Sequence, residues 1–299
     1  MKNAIRFALA LALILAFTAV FSRRVSSQGL STSSAADASP ETLLQLDDAL
    51  SINLKQLATA SDRTWYYLAS ATGLGTNTTV WTWPVNLSCV GIASDYYQSV
   101  LIAPDKLLTC AHYCGEKGKT VQFHDTNGVL WTASVTNYVN VIGDMCISFL
   151  SNSAPASIVI PSILPPDATD YLPSHSLVGL PAFWVHRNGT GRANWGAIQY
   201  DPVQLVGDAN AFGGLGTWLR VCHNGFGPFG NGSSASGGDS GSPAFMAFSN
   251  TPVLLFATTI PGDAGGLFVS SRRNFTALAA GGYTNGMKIL DLRNFKKFP

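Results

Sequence analysis

The sequence is poor in charged residues, which make up only 12% of its 299 positions. Eighteen basic and seventeen acidic side chains leave a formal net charge of +1. The chain therefore has no basic field to attract nucleic acid, and we expect no nucleic-acid partner. It also lacks a glycine-rich phosphate loop between a strand and a helix, so a nucleotide-dependent enzyme is disfavoured and no cofactor is expected.

Long amphipathic runs and helix–strand alternation are scarce as well, which argues against a parallel α/β sheet. Downstream of residue 65, short apolar segments alternate with glycine, proline and asparagine, a texture typical of antiparallel β structure. The strand candidates are residues 99–103, 120–123, 131–135, 145–150, 177–180, 218–222 and 253–259. The sequence thus predicts an all-β domain, with a short C-terminal helix within residues 286–298.

The apolar run at the N-terminus, residues 7–21, is short for a membrane-spanning helix of roughly 20 apolar residues. Basic residues precede the run and small residues follow it, so we interpret residues 1–27 as a cleaved signal peptide. An uncleaved signal anchor is the alternative, because Arg23 and Arg24 come directly after the run. The main domain is therefore expected to be secreted, periplasmic or extracellular, with a membrane partner only if the anchor is retained.

Residues 28–62 combine a small, polar linker with a helix-like stretch that begins at Pro40 and carries regularly spaced leucines. We interpret the stretch as a helix docked on the main domain, and a removable pro-segment is the alternative. The main domain then spans residues 63–299, and we expect it to be a monomer.

The cysteine count is odd, which leaves at least one thiol unpaired unless a bridge joins two chains. An extracellular location would allow disulfides to persist. No two short-spaced pairs of the zinc-binding kind occur, so we expect no metal. The five cysteines are Cys89, Cys110, Cys114, Cys146 and Cys222.

The most informative segment is the string G-G-D-S-G-S-P at residues 237–243. A serine hydroxyl becomes a good nucleophile only when a base takes its proton and amide groups stabilise the oxyanion. Glycines around Ser240 allow the tight backbone that turns successive N–H groups inward. Gly238 and Ser240 would supply those two amides. An ordinary Gly/Ser loop is the alternative for this segment taken alone.

Two upstream residues are candidates for the base and its orienting partner. His112 closes the apolar segment 99–111, and Asp144 precedes the apolar strand candidate 145–150. A partly buried aspartate needs hydrogen bonds, and accepting one from His112 Nδ1 would also fix the imidazole tautomer. Asp105 and Asp125 are rival aspartates, but neither leads an apolar strand. Taken singly, a structural histidine and a turn aspartate would be ordinary interpretations.

Together these segments resemble the chymotrypsin-like serine proteases. T-C-A-H ending at His112 is similar to the family's T-A-A-H, and G-D-M-C-I-S-F-L around Asp144 is similar to its D-I-A-L-L strand. The chain order His112, Asp144, Ser240 is also the family's order. The resemblance spans residues 85–285 and implies two antiparallel six-stranded β-barrels, at about 80–165 and 166–285. It also implies an endopeptidase that cuts protein or peptide substrates through an acyl-enzyme.

The same resemblance exposes departures from the family pattern. Mammalian members pair a new N-terminus with the aspartate before the serine, here Asp239. No matching cut site lies between residues 60 and 100, so Asp239 is expected to have another partner or to face solvent.

The resemblance places the substrate pocket at Ser234, Thr259 and Pro261. A floor at Ser234 carries no negative charge, which favours a medium-sized apolar or small residue before the cut.

If His112 and Asp144 meet, Cys110–Cys146 is the first choice of disulfide and Cys89–Cys114 the second, although spacing cannot fix connectivity. A protease-like binding protein without activity is the alternative function, and a non-proteolytic acyl hydrolase is a remoter one.

Overall fold

The structure is a computed structural model that describes residues 64–70, 73–76, 85–93, 97–114, 117–166, 181–187, 197–208, 218–222, 239–248, 251–259 and 265–291. All of these residues belong to one compact unit, residues 35–299. The predicted signal peptide (1–27), the linker and helix (28–62) and the strand candidate 177–180 lie outside the described residues.

The described chain is mostly strand, as the sequence predicts. Its strands are β1 (Thr64–Ser70), β2 (Gly73–Thr76), β3 (Val90–Ala93), β4 (Gln98–Ala103), β5 (Lys106–Cys110), β6 (Thr120–His124), β7 (Leu130–Ile142), β8 (Met145–Leu150), β9 (Ser162–Ile163), β10 (Pro181–Arg187), β11 (Ala197–Asp208), β12 (Trp218–Cys222), β13 (Pro243–Phe248), β14 (Thr251–Ala257), β15 (Gly265–Leu267) and β16 (Lys288–Ile289). The α-helix described is α1 (Arg272–Ala280).

Strands β3 to β8 close into a six-stranded antiparallel barrel in the order β3-β4-β5-β8-β7-β6. Closure occurs where Ile92 of β3 pairs with Gln122 of β6. Successive side chains of a strand point to opposite faces, so only one face of each strand can fill the barrel interior. Residues on both faces of β4 are buried. Leu101 pairs with Leu107 across β4 and β5, and both are buried together with Phe123.

The tight turn between β7 and β8 positions the first candidate residue. Ile142 pairs with Met145, so only Gly143 and Asp144 connect the two strands. Gly143 has a φ of 51°, in the left-handed region. Glycine adopts this conformation readily because it has no Cβ. The turn thereby presents Asp144 at the end of the barrel, immediately before the buried strand β8.

The remaining strands form a ten-stranded sheet in the order β15-β12-β11-β10-β13-β14-β9-β16, with β1 and β2 joined to it through β11. Most neighbours are antiparallel, but β9 pairs in parallel with both β14 and β16. Within the described strands this sheet shows no closure, so the second six-stranded barrel that the resemblance implies is not shown. Its core includes the fully buried Trp184, Phe245 and Phe256.

The C-terminal helix predicted within residues 286–298 is wrong for the described part of that segment. Lys288 and Ile289 form β16, which pairs with β9. The helix instead lies upstream, where Ser271 caps α1 by accepting a hydrogen bond from the Asn274 amide at 3.2 Å. Gly282, with a φ of 71°, then turns the chain away from the helix. Among the described helices, none has the length and apolarity that crossing a membrane requires.

Candidate active site

Strand pairing in the barrel brings His112 and Asp144 together although they are 32 residues apart. Cys110, the last residue of β5, pairs with Met145, the first residue of β8. The residues that follow β5 and precede β8 are therefore neighbours. A 3-10 turn over Ala111–Tyr113 continues β5, and its first amide, that of Ala111, donates to the Asp144 carbonyl at 2.8 Å. The same end of the barrel thus carries both side chains.

The carboxylate of Asp144 holds His112 at two points. The backbone amide of His112 donates to Asp144 Oδ1 at 2.9 Å, and its Nδ1 lies 2.6 Å from Oδ2. A proton on Nδ1 donated to the carboxylate leaves Nε2 with a lone pair, the tautomer that a general base needs. The His112 side chain is 42% exposed and that of Asp144 27%, so substrate and water can reach the imidazole.

Ser240 completes the constellation from the second sheet. Its Oγ lies 2.9 Å from His112 Nε2, within hydrogen-bonding distance. The residue after it, Gly241, has a φ of 87° and presses against the barrel so closely that an added Cβ would lie 2.1 Å from the Gln98 carbonyl. Only glycine fits this contact, and the contact places the serine against the histidine.

Backbone hydrogen bonds hold the loop that carries Ser240. The Gly241 amide donates to the Thr258 carbonyl at 2.7 Å, and the Thr258 amide donates back to the Ser242 carbonyl at 2.8 Å. Within the loop the Ser242 amide donates to the Asp239 carbonyl at 2.9 Å. Asp239 itself is buried. The position of Ser240 is thus set by a residue just past the end of β14.

The other predicted site residues are only partly described. Ser234, Gly238 and Pro261 lie outside the described residues, so the pocket floor and one of the two predicted oxyanion amides are untested. Thr259 is described and half-buried, and its amide donates to the Gly265 carbonyl at 2.8 Å. It lines a small depression together with Asp144 and Met145. Thr259 therefore lies close to Asp144, and its role in a substrate pocket stays a prediction.

Both predicted disulfides are wrong, because the bridge in the structure joins Cys114 to Cys146. Cys110 and Cys89 are buried free thiols. The reason is the register of β5 and β8: Cys146 lies opposite Thr109, whereas Cys110 lies opposite Met145. Directly paired residues share a face of the sheet, so Cys110 and Cys146 point to opposite faces. The side chain of Cys222 lies outside the described part.

Removing the Cys114–Cys146 bridge is expected to destabilise the protein. The bridge joins residues 32 apart, and for a loop of this size the chain-entropy relation gives about 3–4 kcal/mol. The double variant Cys114→Ala/Cys146→Ala should lose that amount in the free energy of unfolding, measured with urea. Dithiothreitol should lower the stability of the wild type and leave the double variant unchanged. A wild type indifferent to the reductant would contradict the assignment.

The thiol of Cys110 lies beside the triad but is not a nucleophile. Its Sγ is 3.8 Å from His112 Nε2. Burial, and secondarily the negative charge of Asp144, raise the pKa of Cys110 to about 12. Since the thiolate is the reactive form, this thiol stays protonated and inert at neutral pH. Burial also raises the pKa of Cys89, which lies in the barrel core.

Sequence reasoning missed an aromatic pair next to the histidine. The rings of Tyr97 and Tyr113 stack with centroids 3.8 Å apart, and Tyr113 meets His112 edge-on at 4.9 Å. The two tyrosines come from the segment before β4 and from the 3-10 turn, so only the folded barrel brings them together.

In the described part of the chain, no group of three or more histidine, cysteine or acidic side chains is placed to hold a metal ion.

Comparisons with known proteins do not assign the chain to a family. No protein-family model matches the chain, and no curated protein matches it either.

Proposed function

We propose that the protein is a secreted serine endopeptidase that acts through Ser240, His112 and Asp144. The observation that carries the proposal is the continuous chain of contacts from Asp144 Oδ2 through the His112 imidazole to Ser240 Oγ, at 2.6 and 2.9 Å. Such a chain is what a serine needs to become a nucleophile near neutral pH. The closed six-stranded barrel that contributes His112 and Asp144 also supports the proposal, since the resemblance to chymotrypsin-like proteases implies a barrel in this part of the chain.

The reaction follows from these contacts. Ser240 Oγ attacks the carbonyl carbon of the scissile bond as its proton passes to His112 Nε2. The amide of Ser240, together with that of Gly238, would stabilise the negative oxygen of the tetrahedral intermediate. Collapse of the intermediate breaks the C–N bond, and the leaving amine takes the proton from Nε2. A water molecule, deprotonated by the same nitrogen, then hydrolyses the acyl-enzyme and restores the serine.

Asp144 supports both transfers without giving up its own charge. Its two oxygens fix the ring orientation through the backbone amide and Nδ1 of His112, and its charge stabilises the imidazolium that forms. The side chains of His112 and Asp144 are partly exposed, so a substrate can reach the imidazole. This arrangement fits acyl transfer from a peptide chain lying across the barrel end.

The proposed substrate is a protein or peptide with a medium-sized apolar or small residue before the scissile bond. The proposal depends on a pocket made by Ser234, Thr259 and Pro261, which offers no fixed negative charge for lysine or arginine. A peptide-library profile of the purified protein should show this preference. A profile dominated by arginine or lysine would refute the pocket assignment while leaving the triad intact.

The triad is tested with a fluorophosphonate probe followed by peptide mapping. We expect labelling of Ser240 in the wild type, none in Ser240→Ala, and a rate at least about 100-fold lower in His112→Ala, because the base is lost. Ser151→Ala is the matched control, since Ser151 is an exposed serine far from His112 in the barrel, whose hydroxyl accepts from the Ser134 amide at 3.1 Å and donates to Asn152 Oδ1 at 2.7 Å. That variant should be labelled like the wild type. A folded wild type that resists the probe would favour an inactive, protease-like binding protein.

A further inference from the structure

A fully buried tryptophan lies behind the nucleophile loop and is bonded to it through one intermediate residue. The indole N–H of Trp184, on β10, donates to Thr258 Oγ1 at 2.9 Å. Both side chains are shielded from solvent, with exposures of 0% and 2%. The two residues are 74 positions apart, so the bond joins separate parts of the second sheet.

Thr258 is the residue that holds the loop of Ser240. Its carbonyl accepts from the Gly241 amide and its amide donates to Ser242, so both residues after the nucleophile bond to it. Any sideways movement of Thr258 therefore moves the backbone that carries Ser240 Oγ. Thr258 is thus the point at which a distant residue can control the geometry of the nucleophile.

Thr258 lies just beyond the ladder of β13 and β14, so its side-chain bond adds to the two backbone bonds that link it to the nucleophile loop. The ladder between β13 and β14 ends where Pro243 pairs with Ala257, one residue before Thr258. Pro243 has no N–H to extend that ladder. A register shift also occurs in the same ladder between Ala244 and Phe245. The hydrogen bond from Trp184 is consequently a direct tether on Thr258 from the body of the sheet.

We infer that Trp184 is a positioning residue for Ser240, acting through Thr258. The inference rests on the proposed function, because it concerns the geometry of that nucleophile. The bond from the indole N–H keeps Thr258 in the position from which it binds the backbone of Gly241 and Ser242. That backbone in turn places Ser240 Oγ 2.9 Å from His112 Nε2. Loss of the tether shifts the hydroxyl away from the imidazole. Displacements of about 1 Å at a reacting group can cost about 100-fold in rate.

The test removes each end of the tether separately. Trp184→Phe deletes the donor and retains most of the ring, and Thr258→Val deletes the acceptor at constant shape. We expect each variant to react with the fluorophosphonate probe with a maximal rate about 10- to 100-fold lower and an unchanged half-saturating concentration. Thr258→Ser keeps the acceptor and should restore the rate to within about threefold of the wild type.

A matched control separates positioning from general destabilisation. Asn274→Ala removes another buried side-chain hydrogen bond, from Asn274 Nδ2 to the Phe268 carbonyl at 2.8 Å, in the turn that leads into α1. It should lower the melting temperature like Trp184→Phe, yet react with the probe at the wild-type rate at a temperature where all variants are folded. Equal slowing in Asn274→Ala, or no slowing in folded Trp184→Phe, would overturn the inference.

A readout independent of catalysis distinguishes this inference from the proposed function. In Thr258→Val and Trp184→Phe, hydrogen exchange at the Gly241 amide should be at least about tenfold faster than in the wild type, because its bond to Thr258 opens more often. Asn274→Ala should leave that amide protected. If the wild type proves unreactive while the exchange pattern holds, the tether stands and the proposed function fails. Unaltered exchange in both tether variants overturns the tether itself.

Discussion

Replacing Asp144 by asparagine is expected to slow acyl transfer by about 10⁴-fold while the fold is retained. An asparagine side chain presents an NH₂ group, which only donates, where the carboxylate presents an oxygen, so its two ends cannot accept from both the amide and Nδ1 of His112. The imidazole then adopts the tautomer in which Nε2 carries the proton and cannot act as a base. The lost carboxylate charge also leaves the imidazolium without its counterion.

The measurement compares the rate of fluorophosphonate labelling of Ser240 in Asp144→Asn and in the wild type.

The two rival aspartates of the sequence supply matched controls. Asp105 forms a surface ion pair with Lys106 at 2.8 Å, and Asp125 accepts amide bonds from Asn127 and Val129 in the turn after β6. Asp105→Asn and Asp125→Asn should label within about twofold of the wild-type rate, because neither carboxylate contacts His112. A normal rate in Asp144→Asn would rule out its orienting role.

The three candidate catalytic residues could be predicted because each sits in a motif whose chemistry is local. Asp144 leads a buried strand, His112 ends an apolar segment, and glycines surround Ser240. The structure then explains why they meet: β5 pairs with β8, and Gly241 packs on the barrel against Gln98. The catalytic role of the constellation stays a prediction until the probe experiment is done.

The disulfide could not be predicted, because it depends on the register of two strands. A shift of one residue in that register exchanges the faces on which all side chains of a strand lie. Cys110 and Cys114 are both near His112 in sequence, yet only Cys114 lies on the face of Cys146. The contact between His112 and Asp144 therefore does not identify which nearby cysteine is bonded to Cys146.

The C-terminal helix was predicted wrongly, and the bond between Trp184 and Thr258 could not be predicted at all. Met287, Ile289 and Leu290 are spaced in a way that suits one turn of helix or a short strand, and pairing with β9 decides for the strand. The tether between Trp184 and Thr258 joins residues from strands far apart in the chain, and nothing in either local sequence indicates the other. Both outcomes are set by tertiary contacts.

Gly241→Ala is the second substitution with a large expected effect, on stability and on activity together. The added Cβ would lie 2.1 Å from the Gln98 carbonyl and 2.7 Å from Thr109 Oγ1, so the loop or the barrel edge must move. Overpacking of this kind typically costs about 1–3 kcal/mol. The left-handed φ of 87° adds about 1–2 kcal/mol for a residue with a side chain.

The loss of labelling should exceed what the loss of stability explains. Since Gly241 follows Ser240 directly, relief of the clash moves the nucleophile away from His112, and a shift of about 1 Å lowers the rate by about 100-fold. Gly282→Ala is the matched control. Gly282 has a similar φ of 71°, but no heavy atom lies within 4 Å of its added Cβ.

The two alanine variants therefore differ in the clash while sharing the backbone cost. Urea unfolding should show a loss of about 1–2 kcal/mol in Gly282→Ala and a larger loss in Gly241→Ala. At temperatures where both are folded, Gly282→Ala should react with the probe at the wild-type rate and Gly241→Ala about 100-fold more slowly. Equal behaviour of the two variants would mean that the contact between Gly241 and the barrel does not set the position of Ser240. Unequal stability with equal reactivity would separate the packing of the loop from the alignment of the nucleophile.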